Sequence, residues 1–233
     1  SDISADYFGM FNDRMQELLG ADRQDPPFIS ILSNGASGDI NNIDFTKPGE
    51  KLPPYGKMRI VADDVAQKVH AAYQTIQWRD RVTLAAAFEE IELKLRRPTP
   101  EQLARARNIL ALKKAGTEPK LLEGIYAERT VSMSELPESD KFPLQAFLIG
   151  EVGIVTFPNE PFCEIGLELK RRSPFKPTFV VELAHGSFGY LPTPEQHTLG
   201  GYETWLGSNR LEIEASPKMI DRLLAMLARL RKN

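Results

Sequence analysis

The sequence contains very little of several features that would identify common classes of protein. Cys163 is the one cysteine among 233 residues, which excludes an internal disulfide framework and leaves the redox compartment open. The three histidines, His70, His185 and His197, show neither a His-Glu-x-x-His pattern nor any other paired spacing. No apolar run is long enough to span a bilayer. Because the net charge is −3 and acidic and basic residues are mixed, there is no basic stripe that would indicate a nucleic-acid partner.

What remains is the composition and pattern of a globular α/β protein. Hydrophobic residues make up 42% and charged residues 26%, which is typical of a folded chain with a substantial core. Segments with helical periodicity alternate with short apolar segments, and residues 142–149 and 152–157 indicate a hairpin. We predict a mixed β-sheet with flanking helices, forming a single α/β domain over residues 1–233. The start at Ser1, without an initiator Met, predicts a chain cut from a longer protein.

One loop is too polar to form part of the hydrophobic core. The apolar run at residues 28–32 is predicted to be a buried strand, and Ser33–Asn42 follows it directly. This loop is rich in Gly, Asn and Ser, which permit unusual backbone angles and form local hydrogen bonds. A polar loop after a buried strand is a common place for a binding site, although it is also the usual composition of a surface turn.

Two further polar loops follow predicted strands, at residues 158–160 and 185–190. Such loops gather along one edge of a sheet, where ligands bind, and would bring Asp39, Glu160, His185 and Tyr190 together. This set could ligate a metal. The alternatives are that Glu160 is a helix-start acid, that Tyr190 packs half-buried, and that His185 faces solvent.

These loops carry four motifs that resemble the neutral/alkaline non-lysosomal ceramidases, the zinc amidases that cleave the N-acyl bond of ceramide. The family's Gly-Asp-Val-Ser-Pro-Asn, its Pro-Gly-Glu-Phe, its Tyr-x-Thr-Thr-x-Glu and its later Tyr-Glu occur in the same order as the matching segments here. Those segments are Gly38-Asp39-Ile40-Asn41-Asn42-Ile43, Pro158-Asn159-Glu160-Pro161-Phe162, Tyr190-Leu191-Pro192-Thr193-Pro194-Glu195 and Tyr202-Glu203. The resemblance covers almost the whole chain and implies the second half of a larger catalytic domain.

The resemblance also implies a cofactor and roles for individual residues. Glu160 and Tyr190 match two zinc ligands, and two further histidine ligands are expected upstream of residue 1. Tyr202 would line the pocket. The loop Asn34–Asn42, which carries the first motif and is called the signature loop below, would contribute Asp39 to catalysis and would place Asn34 and Gly38 against the scissile amide.

The chain departs from the family pattern at the position of the catalytic serine, where it has Asn41. An Asn amide offers a donor and an acceptor, but it cannot replace a serine hydroxyl. The resemblance therefore implies a zinc-dependent amide hydrolase, of a bacterial ceramidase-like branch, that acts on ceramide or a related N-acyl compound. The alternative is an inactive ceramidase-like domain that binds a lipid or glycan as a scaffold.

The resemblance extends to partners and location. It implies a small-molecule or lipid amide as substrate, possible contact with a membrane surface, and secretion or a periplasmic location. Since it supplies half of the zinc ligands, the chain alone is expected to bind zinc poorly, to be inactive, and to expose apolar surface that another part of the protein would cover.

Overall fold

The computed structural model describes residues 3–49 and 51–232, and contacts divide the chain into two compact units. The first unit comprises the chain up to Ser33 together with Asn42–Arg81. The second comprises Asn34–Asn41 and the chain from Val82 onward. Each unit is described separately below, and the assignment of residues 1–233 to a single domain stays a prediction.

The first unit is built on a helical pair, α1 (Asp6–Leu19) and α2 (Gly56–Tyr73). Both helices have the apolar periodicity that is typical of a helix with one buried face. They bury a small cluster consisting of Phe11, Met15, Ala62 and Ala66. An ion pair joins Arg14 Nε of α1 to Asp63 Oδ1 of α2 at 2.7 Å, on the polar side of this pair.

The predicted buried strand at residues 28–32 is wrong. The segment has no strand conformation, and the residues Ile29 and Ile31 are 62% and 89% exposed. Phe28 and Leu32 pack against the helical cluster instead, and Ser30 N donates to Asn12 Oδ1 at 2.8 Å. The apolar run therefore anchors an irregular segment on helices, because no strand among the described residues lies beside it to offer a ladder of backbone hydrogen bonds.

The second unit alternates strands and helices. In chain order its elements are β1 (Leu84–Lys94), α3 (Pro100–Lys114), α4 (Leu121–Glu135), β2 (Ser139–Ile149), β3 (Val152–Thr156), β4 (Glu160–Pro161), α5 (Cys163–Arg172), β5 (Thr178–Val181), β6 (Tyr190–Leu191), α6 (Pro194–Leu199), a 3₁₀ turn (Tyr202–Thr204) and α7 (Ala215–Leu230).

The prediction of a mixed sheet is confirmed. The main sheet has the order β1-β2-β3-β5, in which β1, β2 and β3 are antiparallel neighbours and β5 runs parallel to β3. The predicted hairpin is the β2–β3 pair, in which Ile149 lies opposite Val152. The parallel step from β3 to β5 passes through α5, as parallel strands require a crossover connection.

One face of this sheet carries the core. Alternate residues of β1 and β2 point to the same side, where they pack against α7, and α5 packs against β5 and α7. The fully buried side chains of this core include Phe142, Leu144, Ile165, Leu223 and Leu227. The opposite face bears exposed apolar side chains, among them Leu84, Phe88, Ile149 and Phe179. Within the described residues, no helix is both long enough and apolar enough to cross a membrane.

Candidate functional site

The core of the candidate site is a two-stranded parallel pair formed by β4 and β6. Glu160 lies opposite Tyr190 in this pair, and Pro161 lies opposite Leu191. Two backbone hydrogen bonds fix the register, from Glu160 N to Gly189 O at 3.1 Å and from Phe162 N to Leu191 O at 3.1 Å. Because opposite residues of paired strands project to the same face, the carboxyl and the phenol are held side by side.

The signature loop is docked directly on β4. Gly38 N donates to Pro161 O at 2.9 Å, and Ile40 N donates to Ser37 O at 2.9 Å within the loop. A Cβ at residue 38 would lie 2.3 Å from the carbonyl oxygen of Glu160, so a residue with a side chain could not take this position unchanged. The Gly of the motif is therefore required by the close approach of two backbones.

Asp39 caps the N-terminus of the neighbouring helix α5. Its Oδ1 accepts a hydrogen bond from Cys163 N, at the first residue of α5, at 2.7 Å. This satisfies one of the backbone N–H groups that a helix start leaves without a partner, and it places a carboxylate at the positive end of the helix dipole. The family resemblance implied a catalytic role for Asp39, whereas its observed contact is that of a helix cap.

The signature loop is also held by the buried carboxylate of Glu182, the residue that follows β5. Glu182 is 8% exposed, and its Oε1 accepts from Ser37 Oγ at 2.6 Å while its Oε2 accepts from Ser37 N at 3.3 Å. Glu182 N in turn donates to Asn34 O at 3.1 Å. Asn34, predicted to contact substrate, thus contributes its backbone carbonyl to the anchoring of the loop.

The charge of Glu182 acts on the carboxyl of Glu160. Burial, and then the negative charge of Glu182, raise the pKa of the Glu160 carboxyl above its ordinary value. Both causes act against the ionised form. A cation bound at Glu160 would reverse this balance.

Tyr190 and Tyr202 form a hydrogen-bonded pair of phenols. Their hydroxyl oxygens are 3.1 Å apart, and their rings meet edge to face with centroids 5.6 Å apart. The hydrogen bond with Tyr202, then burial, then the charges of Glu160 and Glu203 raise the pKa of the Tyr190 phenol. The structure therefore brings together three residues that the sequence predicted for the site: Glu160, Tyr190 and Tyr202.

A partly buried guanidinium, that of Arg96, positions the turn that carries Tyr202. Arg96 Nη1 donates to Thr204 O at 2.7 Å and to Asn209 Oδ1 at 2.9 Å. Asn209 Nδ2 donates to Tyr190 O at 3.0 Å, so this network links the 3₁₀ turn to β6. Burial lowers the pKa of the Arg96 guanidinium. The backbone segments that carry the two phenols are therefore also linked to each other by hydrogen bonds.

Asn159 joins the loop before β4 to the loop before β6. Its side chain is fully buried, its Nδ2 donates to Gly189 O at 3.2 Å, and its backbone oxygen accepts from Leu183 N at 3.1 Å. Phe188 N donates to Pro158 O at 2.9 Å in the same region. These contacts confirm the prediction that the loops at residues 158–160 and 185–190 lie together.

Two of the predicted residues have different surroundings. Asn41, at the position of the family's serine, is exposed. His185 is also exposed, and its Nε2 lies 2.8 Å from Gln145 Oε1 of β2. The backbone of His185 has a φ of 62°, a left-handed conformation that non-glycine residues adopt rarely.

Two residues of the observed site, Glu182 and Ser37, were not predicted from the sequence. A signal for Glu182 was present, since it is the only charged residue between Thr178 and Ala184 in a segment otherwise suited to a buried strand. A carboxylate in such a position needs hydrogen-bond donors. The identity of its donor, Ser37, depends on a contact across 145 positions of the chain and has no local signal.

The chain supplies part of a possible metal site. Across residues 3–49 and 51–232, no group of three or more His, Cys, Asp and Glu side chains is arranged to hold a metal ion. Glu160 and Tyr190 nevertheless place two oxygen donors side by side, and the charge of one further carboxylate, that of Glu203, also acts on the phenol. This donor set suits a cation and would need additional ligands to complete a tetrahedral site.

No protein-family model matches the sequence, and no curated protein sequence matches it. Solved structures do match. The crystal structure of neutral ceramidase from Pseudomonas aeruginosa aligns with a TM-score of 0.65 at 17% sequence identity, covering 99% of this chain and 41% of that chain. A ceramidase complexed with C2 aligns with a TM-score of 0.60 at 15% identity, covering 99% of this chain and 43% of that chain.

These alignments confirm the predicted resemblance at the level of the fold. The chain has the fold of part of a neutral ceramidase and spans about two fifths of the length of the ceramidases it matches.

Proposed function

We propose that this chain is part of a zinc-dependent amide hydrolase of the neutral ceramidase-like family, which cleaves the N-acyl bond of ceramide or a related N-acyl compound. The observation that carries the proposal is the pairing of Glu160 with Tyr190 across β4 and β6, beside the docked loop that contains Gly38. The two residues that the resemblance assigns to zinc come from segments 30 positions apart, and the fold holds them opposite each other.

The electrostatics of the site support a bound cation. Negative charge from neighbouring carboxylates contributes to the raised pKa of both Glu160 and Tyr190. Metal ligands must be deprotonated, and a divalent cation would offset the repulsion that now opposes ionisation. Glu160 and Tyr190 would hold the zinc together with two histidines from outside this chain. The chemistry that zinc supplies in such a site is Lewis-acid polarisation of the amide carbonyl.

The chain's own residues would orient the substrate. Tyr202 presents a half-exposed phenol that is fixed by its contact with Tyr190, so it can bind a polar group beside the reacting amide. Asn41, exposed on the signature loop, offers an amide donor and a carbonyl acceptor. Asp39 and Gly38 hold this loop against α5 and β4 and thereby fix the position from which Asn41 acts.

The test uses the full-length protein that contains this chain. Its zinc content is measured by elemental analysis, and its hydrolysis of N-acyl sphingosine and of simpler N-acyl amines is assayed. Glu160→Ala is expected to lose most of the zinc and the activity. Glu90→Ala, which replaces an exposed carboxylate on β1, is the matched control and should retain both. Zinc content that is unchanged in Glu160→Ala would remove Glu160 from the ligand set.

A second candidate function follows from Asn41 in place of the family's serine. In this alternative the domain has lost catalysis and binds a lipid or a glycan as a scaffold. The same assays separate the two, because zinc-dependent turnover of any N-acyl substrate excludes the scaffold function. Binding of N-acyl lipids without turnover, in the zinc-loaded protein, would favour it.

A further inference from the structure

Ser37 provides a hydroxyl group inside the signature loop, four residues before Asn41. Its Oγ donates to Glu182 Oε1 at 2.6 Å and its backbone N donates to Glu182 Oε2 at 3.3 Å, so both donors of the residue are committed to one carboxylate. Glu182 is itself held in place, because it is 8% exposed and its backbone N donates to Asn34 O at 3.1 Å. The orientation of the hydroxyl proton is therefore fixed.

This arrangement determines what the hydroxyl can offer to a ligand. A serine hydroxyl has one donor and two acceptor lone pairs. With the proton directed at Glu182, only the lone pairs remain for another molecule. Ser37 is half-buried, so part of the residue remains open to another molecule. Toward a ligand, Ser37 is then an acceptor and would bind an N–H group.

Ser37 lies within the candidate site. The next residue, Gly38, donates its N–H to Pro161 O beside Glu160. The charge of Glu182 also acts on the Glu160 carboxyl. The acceptor oxygen is thus placed on the loop that borders the paired Glu160 and Tyr190.

We propose that Ser37 is a substrate-binding residue that accepts a hydrogen bond from the N–H of a secondary amide, and that the Ser37–Glu182 pair makes the site select amides over the corresponding esters. This inference rests on the proposed function, because it assumes that the scissile bond is bound beside Glu160. An ester has an oxygen where the amide has its N–H, so it cannot donate to Ser37 and would bring two acceptors into contact. Asn41 cannot impose this selection, because its side chain can both donate and accept.

The roles of the two residues differ. Ser37 would contact the substrate, whereas Glu182 is a positioning residue that acts by taking the hydroxyl proton. In Glu182→Gln the new amide can donate to Ser37 Oγ, which frees the hydroxyl proton to donate to an ester. Glu182→Gln should therefore reduce the selectivity for amides even though the serine is unchanged.

The experiment measures binding in the full-length protein, so it does not require turnover. The probes are N-hexylacetamide and hexyl acetate, which differ at the N–H, and their dissociation constants are measured by calorimetric titration. The wild type is expected to bind the amide about threefold to tenfold more tightly than the ester, the range for one net hydrogen bond. Ser37→Ala should bring the ratio close to one. Ser37→Thr retains a hydroxyl and should retain the preference, which separates loss of the hydroxyl from disturbance of the loop.

Equal binding of the two probes by the wild type, an unchanged preference in Ser37→Ala, or no binding of either probe would overturn the inference. Failure of catalysis alone gives a different result. A protein that binds N-acyl compounds at this site without hydrolysing them would still prefer the amide, and Ser37→Ala would still lose that preference.

Discussion

Gly38 passes so close to Glu160 that a Cβ on residue 38 would lie 2.3 Å from the Glu160 carbonyl oxygen and 3.2 Å from the Phe162 ring. The obstructing oxygen belongs to the backbone of β4, so it cannot move without moving the strand. The backbone hydrogen bond from Gly38 N to Pro161 O depends on the same approach. The loop and the strand that carries Glu160 are therefore packed so closely that neither can shift without the other.

Gly38→Ala is expected to destabilise the protein by about 1–3 kcal/mol, the usual cost of forcing extra volume into a packed position. The free energy of unfolding is measured by urea denaturation. Because the strand must shift to admit the methyl group, the zinc content of the full-length variant should fall as well.

Gly49→Ala is the control for this change. A Cβ at residue 49 would meet nothing within 4 Å. This variant should unfold at the same urea concentration as the wild type. A Gly38→Ala protein with wild-type stability and wild-type zinc content would show that the loop does not press on β4.

The contact from Asp39 Oδ1 to Cys163 N predicts a structural role for this carboxylate. Asp39→Ala removes the cap of α5 and should cost about 1 kcal/mol of stability, as the loss of a capping side chain does. Asp39→Asn keeps an oxygen at the same position and should cost less. Thermal or urea denaturation of both variants measures the difference.

Activity of the full-length variants separates capping from catalysis. If Asp39 only caps α5, activity should follow stability, and Asp39→Asn should be nearly as active as the wild type. A stable Asp39→Asn protein that has lost activity would contradict this prediction and would support the catalytic role that the family resemblance implies for Asp39.

Much of the fold was accessible from local sequence patterns. Helix α3 shows why, since Thr99 and Gln102 exchange the two hydrogen bonds of a capping box around Pro100, and all three signals lie within four residues. The β2–β3 hairpin is equally local. Elements of this kind are specified by neighbours in the sequence, so periodicity and turn residues are sufficient to predict them.

The errors and omissions involve partners that are distant in sequence. Residues 28–32 have the composition of a strand, but strand structure also needs a second strand beside it, and the segment packs on helices instead. The motif order predicted that Glu160 and Tyr190 share a site. It could not predict that Glu182 lies beside them, because a single buried carboxylate does not reveal which hydroxyl it binds.

The pKa of Glu160 predicts how stability depends on pH in the protein after treatment with a chelator. Burial and the charge of Glu182 raise this pKa above the ordinary value of 4.5, so the folded state holds the proton more tightly than the unfolded state. Stability from this group is present below the unfolded pKa and is lost as pH rises through the folded pKa. Glu160→Gln should therefore be more stable than the wild type at pH 7, and the difference should shrink as pH falls toward 4.5.

A double-mutant cycle assigns the contribution of Glu182. In a Glu182→Gln background one of the two causes of the raised pKa is absent, so the stabilisation from Glu160→Gln at neutral pH should be smaller. Urea denaturation at several pH values measures all four proteins. A Glu160→Gln variant that is less stable than the wild type at pH 7 would contradict the predicted sign.

The hydrogen bond between the two phenols predicts the effect of Tyr202→Phe. This bond is the largest cause of the raised pKa of Tyr190, so its removal should lower that pKa toward the ordinary value of 10.0. The change is measured by alkaline titration of tyrosinate absorbance, with Tyr190→Phe subtracted to isolate the one phenol. Tyr55→Phe, which alters an exposed tyrosine in the other compact unit, should leave the Tyr190 transition unchanged. If Tyr190 titrates in Tyr202→Phe as it does in the wild type, burial and the neighbouring carboxylates alone set its pKa, and the contact between the phenols does not tune the residue proposed to bind zinc.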